Sequence, residues 1–492
     1  MGRDITSAEY SGQQRREYRQ TLRQNLDLFE SYLDRAEFIT DGTIGLEVEM
    51  NLVDDDMQPA CRAVELLERV ELEEFTHEIG TFNIEMNYPV LHPAGRGLAD
   101  IEDGLIERLT YVDNKAAELG CHLLPIGHLP TVDEELLTSD HWRTPGNRYL
   151  ALENAVLQSR GEDIHLEIAG QTEYVDLYMP SISPEAVCTS AQLHLQVAPE
   201  EFAPTWNAAQ AIAGPQVALA ANSPFLLGKQ LWHETRIATF QQSIDTRPPE
   251  HAAQGIRPRV WFGERWITSM FDLFEENVRY FPPLLPESRV MAEQPMTNED
   301  AAPILHELVL HNGTVWRWNR PIYDPGSSLP HLRIENRLLP AGPTVLDMVA
   351  NAAFFYGLMY EMIRERRPMW SRMSFARARE QFYDCARYGL DARVDWPRLG
   401  RVRVGELLAE ELIPQAASGM TALGIDSDLV TRYTEVLSER ARTGRNGARW
   451  QIEAVKRLES MGASRGEALT EMTRLYRNHI LSSAPVHTWP LP

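Results

Sequence analysis

Thr43–Val53, TIGLEVEMNLV, alternates apolar and non-apolar residues. Read as a strand, it puts Ile44, Leu46, Val48 and Met50 on one face and Gly45, Glu47, Glu49 and Asn51 on the other. Glu47 and Glu49 then stand about 7 Å apart along the strand. Carboxylates that close repel unless water screens them or a positive group lies between them.

Three further segments repeat the pattern. In GTFNIEMNYPV, Phe82, Ile84 and Met86 oppose Asn83, Glu85 and Asn87. In AQLHLQV, Leu193, Leu195 and Val197 oppose Gln192, His194 and Gln196. In HLRIENRLL, Leu332 and Ile334 oppose Arg333, Glu335 and Arg337. If the four strands share one antiparallel sheet, their apolar faces pack on helices and their polar faces form a common floor. Glu47, Glu49, Glu85, His194 and Glu335 lie on it, flanked by Arg333 and Arg337, with Glu78 reaching it from the leading end of its strand. Hard oxygen ligands with one imidazole suit Mg²⁺ or Mn²⁺, and divalent cations let several carboxylates stay ionised together. Each segment alone has a plainer reading: a solvated sheet face for the glutamates, a structural histidine at His194, and a cross-strand ion pair for Glu335 between its arginines.

The bulk composition narrows the function. With 492 residues, 43% of them hydrophobic, the chain can build a large core. Acidic residues outnumber basic ones 71 to 47, which disfavours nucleic-acid binding and contact with anionic membranes. Cys61, Cys121, Cys188 and Cys385 are widely spaced, so neither a structural zinc site nor a disulfide framework is expected. There is no signal-peptide pattern near the first residues and no membrane-length apolar run, so a cytoplasmic protein is expected. Lysine occurs only at Lys115, Lys229 and Lys456, and neither a P-loop nor a Gly-x-Gly-x-x-Gly turn is present. A bound phosphate is therefore expected to be gripped by arginine.

Along the chain, residues 6–36 read as one or two amphipathic helices, 98–119 as a helix stopped by Gly120, and CHLLPIG as a short buried strand. The small-residue segment 203–224 reads as a buried helix, 246–300 as long loops and short helices, and 344–366 and 370–480 as helical.

Taken in order, TIGLEVEMNLV, EIGTFNIEMNYPV, TSAQLHLQV, AANSPFLLGKQLWHETRI and HLRIENRLLP resemble the glutamate–cysteine ligase family, in its family 2 carboxylate–amine ligase branch. The resemblance covers residues 43–340. It implies an α+β fold, an antiparallel sheet forming a glutamine-synthetase-like funnel backed by helices, with a helical C-terminal part. It implies a helical segment 1–40, a catalytic core 41–343 and a helical part 344–492 packed as one unit. It places metal ligands at Glu47, Glu49, Glu78, Glu85, His194 and Glu335. Arg337 is implied to contact phosphate or a substrate carboxylate, and Arg236 in HETRI is a second anion binder whose alternative is a surface salt bridge with Glu234. Arg333, Arg317 and Arg320 are candidate phosphate or substrate contacts, with tryptophan packing the rival reading at Arg317 and Arg320. Asn222, in the Asn-Ser-Pro turn, either shapes the substrate pocket or merely ends a helix.

The implied reaction consumes ATP with Mg²⁺ or Mn²⁺ and joins the side-chain carboxylate of glutamate to an amine such as that of cysteine through an acyl phosphate. The alternatives are another acid or amine substrate, or a non-catalytic binding relative, and a homo-oligomer is left open. The chain departs from the branch in three ways. Gly-Leu-Glu-Val-Glu stands where Gly-x-Glu-Glu-Glu is usual, QLHLQV replaces an HVHV-like strand, and the helical sequence after 344 is longer.

Overall fold

The computed structural model describes residues 7, 9–288, 302–326, 329–480, 482 and 484–492. The first six residues, used above in looking for a leader, and residues 289–300 of the loop-rich stretch lie outside them.

One long helix, α1 (Gly12–Leu33), opens the described chain, begun by a Ser11–Gln14 capping box that satisfies its first free N–H groups. The sheet strands are β1 (Ile44–Val53), β2 (Phe75–His77), β3 (Asn83–Leu91), β4 (His122–Leu124), β5 (Ser190–Gln196), β6 (Asn319–Asp324) and β7 (His331–Pro340). They form one antiparallel sheet in the order β6-β7-β5-β1-β3-β2, with β4 also paired to β1. The four alternating segments are therefore neighbours, and β1 lies at the centre between β3 and β5. That placement buries both of its faces. Ile44, Leu46, Val48 and Met50 enter the core, while Asn51 and nearly all of Glu49 are also withdrawn from solvent.

Helices cover the apolar face. They are α2 (Gly97–Ala117), α4 (Pro199–Ala220) and α5 (Val345–Met362), while α3 (Asn147–Arg160) stands near the acidic end of the polar face, its Tyr149 hydroxyl donating to the His77 carbonyl. α4 carries Pro204 and Pro215 inside it and is buried over almost its whole length, packing across β7. Tertiary burial thus sustains a helix whose intrinsic propensity is poor. It ends at Ala220, two residues before Asn222.

The C-terminal region is helical as read, except for a hairpin, Arg393–Trp396 with Gly400–Arg403. Its turn has Arg398 and Gly400 at positive φ, a device that hydrophobic periodicity does not reveal. One continuous hydrophobic core extends from Tyr18 to Trp489, and a small satellite of Trp261, Phe281 and Val315 stands beside it. The expected α+β class is the observed one: a curled antiparallel sheet backed by helices. Among the described residues, no helix is long and apolar enough to cross a membrane.

Candidate active site

The strand register builds the floor row by row. Arg320 lies opposite Glu335, Glu335 opposite His194, and His194 opposite Gly45. In the next row Glu47 stands between Gln192 and Asn87. Beyond it Glu49 faces Glu85, and Glu85 faces Thr76. The shared floor inferred from alternation is present, and its residues fall into three groups with different electrostatics.

The first group is an arginine clamp. Glu335 accepts from Arg320 at 2.9 Å and from Arg337 at 2.6 Å. Burial pushes its carboxyl up, but the two guanidiniums outweigh burial and hold it well below the usual range. Arg337 also donates to the side-chain oxygen of Gln192. Gln192 in turn donates to Glu49 at 2.7 Å, so its amide joins the clamp to the acidic end.

The second group surrounds Glu47. His194 Nε2 lies 3.0 Å from Glu47 Oε1. Burial raises the Glu47 carboxyl, and the neighbouring imidazole more than reverses this, leaving it below its ordinary value. On the far side of the ring, Arg333 Nε donates to His194 Nδ1 at 3.1 Å, and its Nη1 reaches Asp324 at 3.1 Å.

The third group is acidic. Glu49, Glu78 and Glu85 each offer an oxygen, and these atoms all lie within 4.8 Å of one another. Glu49 accepts from the Ser190 amide at 2.6 Å. Burial and the Glu85 carboxylate still push it up to about 7, against the opposing pull of Arg337. Burial and the same carboxylates push Glu78 well above its ordinary value. Glu185, in a 3₁₀ turn just before β5, is raised to about 8 by burial and by Glu49. The Tyr149 hydroxyl, at the start of α3, is raised by burial and by Glu78.

This donor set fits Mg²⁺ or Mn²⁺: it is all oxygen, acidic, and too crowded to ionise fully without a cation. Of the six residues read as ligands, Glu49, Glu78 and Glu85 converge. Glu47 and Glu335 share the floor but are bound to a histidine and to two arginines, and His194 lies between Glu47 and Arg333.

Three expected contacts stand elsewhere. Arg236 bonds Glu234 at 3.0 Å and the carbonyls of Arg337 and Leu338. It is a buried strut behind β7: its partner is the Glu234 of the alternative reading, but the pair lies in the interior and not at the surface. Asn222 is buried, bonding Ala341, Tyr476 and Gln451 to tie the turn to the C-terminal helices. Arg317 pairs with Glu276 and Asn277 and lies over the Trp261 ring, so packing accounts for it. Arg320 instead joins the clamp.

Sequence reasoning missed Gln192 and Glu185 as site residues. Gln192 carried a signal, since it shares the polar face of β5 with His194. Glu185 carried none, because its turn has no periodicity.

The family described as Glutamate-cysteine ligase family 2 matches residues 43–476. No curated protein matches the chain by sequence. Among solved structures, the glutamate–cysteine ligase of Francisella tularensis, determined in complex with AMP, aligns with a TM-score of 0.54 at 11% identity, covering 91% of this chain and 90% of that one. A bifunctional glutathione synthetase from Pasteurella multocida aligns with a TM-score of 0.49 at 10% identity, covering 95% of this chain and 55% of that one. The first of these shows a shared fold, and the family match spans the floor from its first strand to its last and most of the helices behind it. The chain is a ligase that belongs to glutamate–cysteine ligase family 2.

Proposed function

We propose that this protein uses ATP to join the side-chain carboxylate of glutamate to the amine of cysteine, forming γ-glutamylcysteine. The observation that carries the reading is the division of one sheet face into an acidic triad and an arginine clamp. In the first step a carboxylate oxygen of glutamate bonds to the γ-phosphorus of ATP, and the bond to ADP breaks. In the second the cysteine amine bonds to the acyl carbon, phosphate leaves, and the amine loses a proton.

The chain's own part is positioning and charge. Arg320 and Arg337 share one carboxylate, so the clamp keeps a net positive charge to face the transferring phosphoryl group. Arg337 is the residue assigned to that contact, with Arg320 beside it. Glu49, Glu78 and Glu85 would hold Mg²⁺ or Mn²⁺, which neutralises nucleotide phosphate charge when bound. Gln192 keeps clamp and triad in fixed relation.

The test is phosphate release from ATP with Mg²⁺ and glutamate, each of the twenty amino acids being tried as acceptor. Release confined to cysteine supports the proposal. Release with another amine makes the protein a carboxylate–amine ligase of different specificity. No release with any acceptor overturns the reading.

A further inference from the structure

We propose that Glu185 is a specificity-determining residue whose carboxylate receives the α-ammonium group of the glutamate substrate. The proposal deepens the reaction proposed above and rests on that reading.

Glu185 lies in the 3₁₀ turn Ser183–Val187, just before β5. The turn is fixed by its backbone. Pro184 stands at its start, the Ile182 amide donates to Glu153 at 3.4 Å, and the Cys188 amide closes on the Glu185 carbonyl at 2.9 Å. The amides of Thr189 and Ser190 then donate to the Gly127 carbonyl at 3.1 Å and to Glu49 at 2.6 Å. A Cβ at Gly80 would lie 3.1 Å from the Ala186 Cβ, so the turn sits against the loop that carries Glu78. The Glu185 side chain takes no part in these contacts, and the turn does not need it.

That side chain faces the acidic end of the floor. Its charge acts on Glu78, Tyr149 and Cys188, and Glu49 and Arg337 act on it in turn. Its Oε2 is buried and has no hydrogen-bond partner among the described residues. The nearest cations are engaged elsewhere: Arg337 is held by Glu335 and Gln192, and Arg143 is held by Glu153. Buried charges in proteins are paired or bind a cation. The partner of Glu185 therefore comes with the substrate.

The surroundings select the kind of cation. Among the described residues one group of three acidic side chains is close enough to share a metal ion, and Glu185 is not in it. A single carboxylate is a poor site for Mg²⁺, which demands a near-octahedral set of oxygens. It suits an ammonium, a compact charge with three N–H donors. In the proposed reaction the cysteine amine must give up its charge before it can bond to the acyl carbon. The ammonium that stays charged throughout is the one on the α-carbon of glutamate. The reacting carboxylate of that molecule belongs beside the arginine clamp and the triad, and Glu185, bordering the triad, can hold its other end.

The test is phosphate release from ATP with Mg²⁺ and saturating cysteine, the acid being either glutamate or glutarate, which lacks the ammonium. The parent should prefer glutamate by about a hundredfold or more in kcat/KM. Glu185→Gln should lose about a hundredfold in kcat/KM for glutamate, chiefly through KM, and leave glutarate within about threefold. Its KM for ATP and its stabilisation by Mg²⁺ should match the parent's, which a misfolded variant would not do. Glu185→Asp keeps the charge and should recover most of the preference. A parent that turns over glutamate while Glu185→Gln keeps the full preference overturns this proposal and leaves the reaction standing. A parent that uses both acids equally well does the same, as does a lost Mg²⁺ response in Glu185→Gln, which would make Glu185 a metal ligand. A parent inactive with glutamate overturns both the reaction and the role given to Glu185.

Discussion

Glu49 and Glu85 lie directly opposite each other across the β1–β3 ladder, with Glu78 beside them. Like charges at directly paired positions destabilise a sheet, and here the sheet is buried at that point. Arg337 and Gln192 approach Glu49 from the β5 side, yet its carboxyl is still displaced upward. The fold thus holds a local repulsion that a cation would relieve, which makes this pair the most direct probe of the site.

The metal-free protein should lose stability as pH rises from about 4.5 to about 7. Glu49 is raised to about 7 in the folded chain, and Glu78 is raised as well. Below the unfolded value both states are protonated. As pH climbs, the unfolded chain ionises first and gains on the folded one. Past the folded value the loss is complete, and for Glu49 it is on the order of 3 kcal/mol. Glu47 and Glu335 have the opposite sign: their lowered values add stability above about pH 4.5 that disappears as pH falls through the folded values. A stability maximum near pH 5 is expected in urea unfolding after chelation, and Glu49→Gln should flatten the slope above it. A steady rise in stability up to pH 7 would contradict the described electrostatics.

Divalent cations should reverse that loss. A ligand that binds only the folded state at about a hundred times its Kd adds about 2.7 kcal/mol. Mg²⁺ or Mn²⁺ at saturation should therefore stabilise the chelated protein at pH 7.5 by about that amount, and much less at pH 5, where the triad is protonated. In Glu85→Gln the gain should disappear, while the metal-free protein becomes more stable than the parent. A full Mg²⁺ response in that variant would place the cation elsewhere.

The sheet was legible because its strands obey a strict two-residue period, and because Glu47, Glu85, His194 and Glu335 each sit on the non-apolar side of that period. The period names a face; it does not say which charges meet across strands. The register alone shows that Glu335 falls between Arg320 and Arg337 while Glu49 falls against Glu85. Arg236, Arg317 and Asn222 were assigned from their place in a motif, and motif position carries no information about burial. Each is taken up by a partner distant in sequence or by a backbone carbonyl. Glu185 stayed hidden because a 3₁₀ turn has no amphipathic signature.

The arginine clamp should respond asymmetrically. Glu335→Gln leaves two buried guanidiniums without their carboxylate and should cost about 3–5 kcal/mol, with loss of Mg²⁺-dependent ATP turnover. Arg320→Met should cost less, because Arg337 still holds Glu335 at 2.6 Å. Denaturant unfolding of both variants and of the double variant gives the coupling. Equal costs for the two single changes would mean that Arg337 does not compensate.

Behind the floor, Asn336 provides a control that separates fold from function. It lies between Glu335 and Arg337 on β7, so its side chain points to the opposite face, toward α4. There it donates to Asn319 at 2.7 Å and to Gln216 at 3.1 Å, and it accepts from Gln216 at 3.0 Å; Asn319 in turn donates to Gln210 at 2.7 Å. Four buried amides satisfy one another, and removing one strands the rest. Asn336→Leu should cost about 2–4 kcal/mol by denaturant unfolding. The KM for ATP should stay within about twofold, since no floor residue loses a partner. A fall in kcat without a loss of stability would show that this network acts on the reaction through the strand, and that the two faces of β7 are not independent.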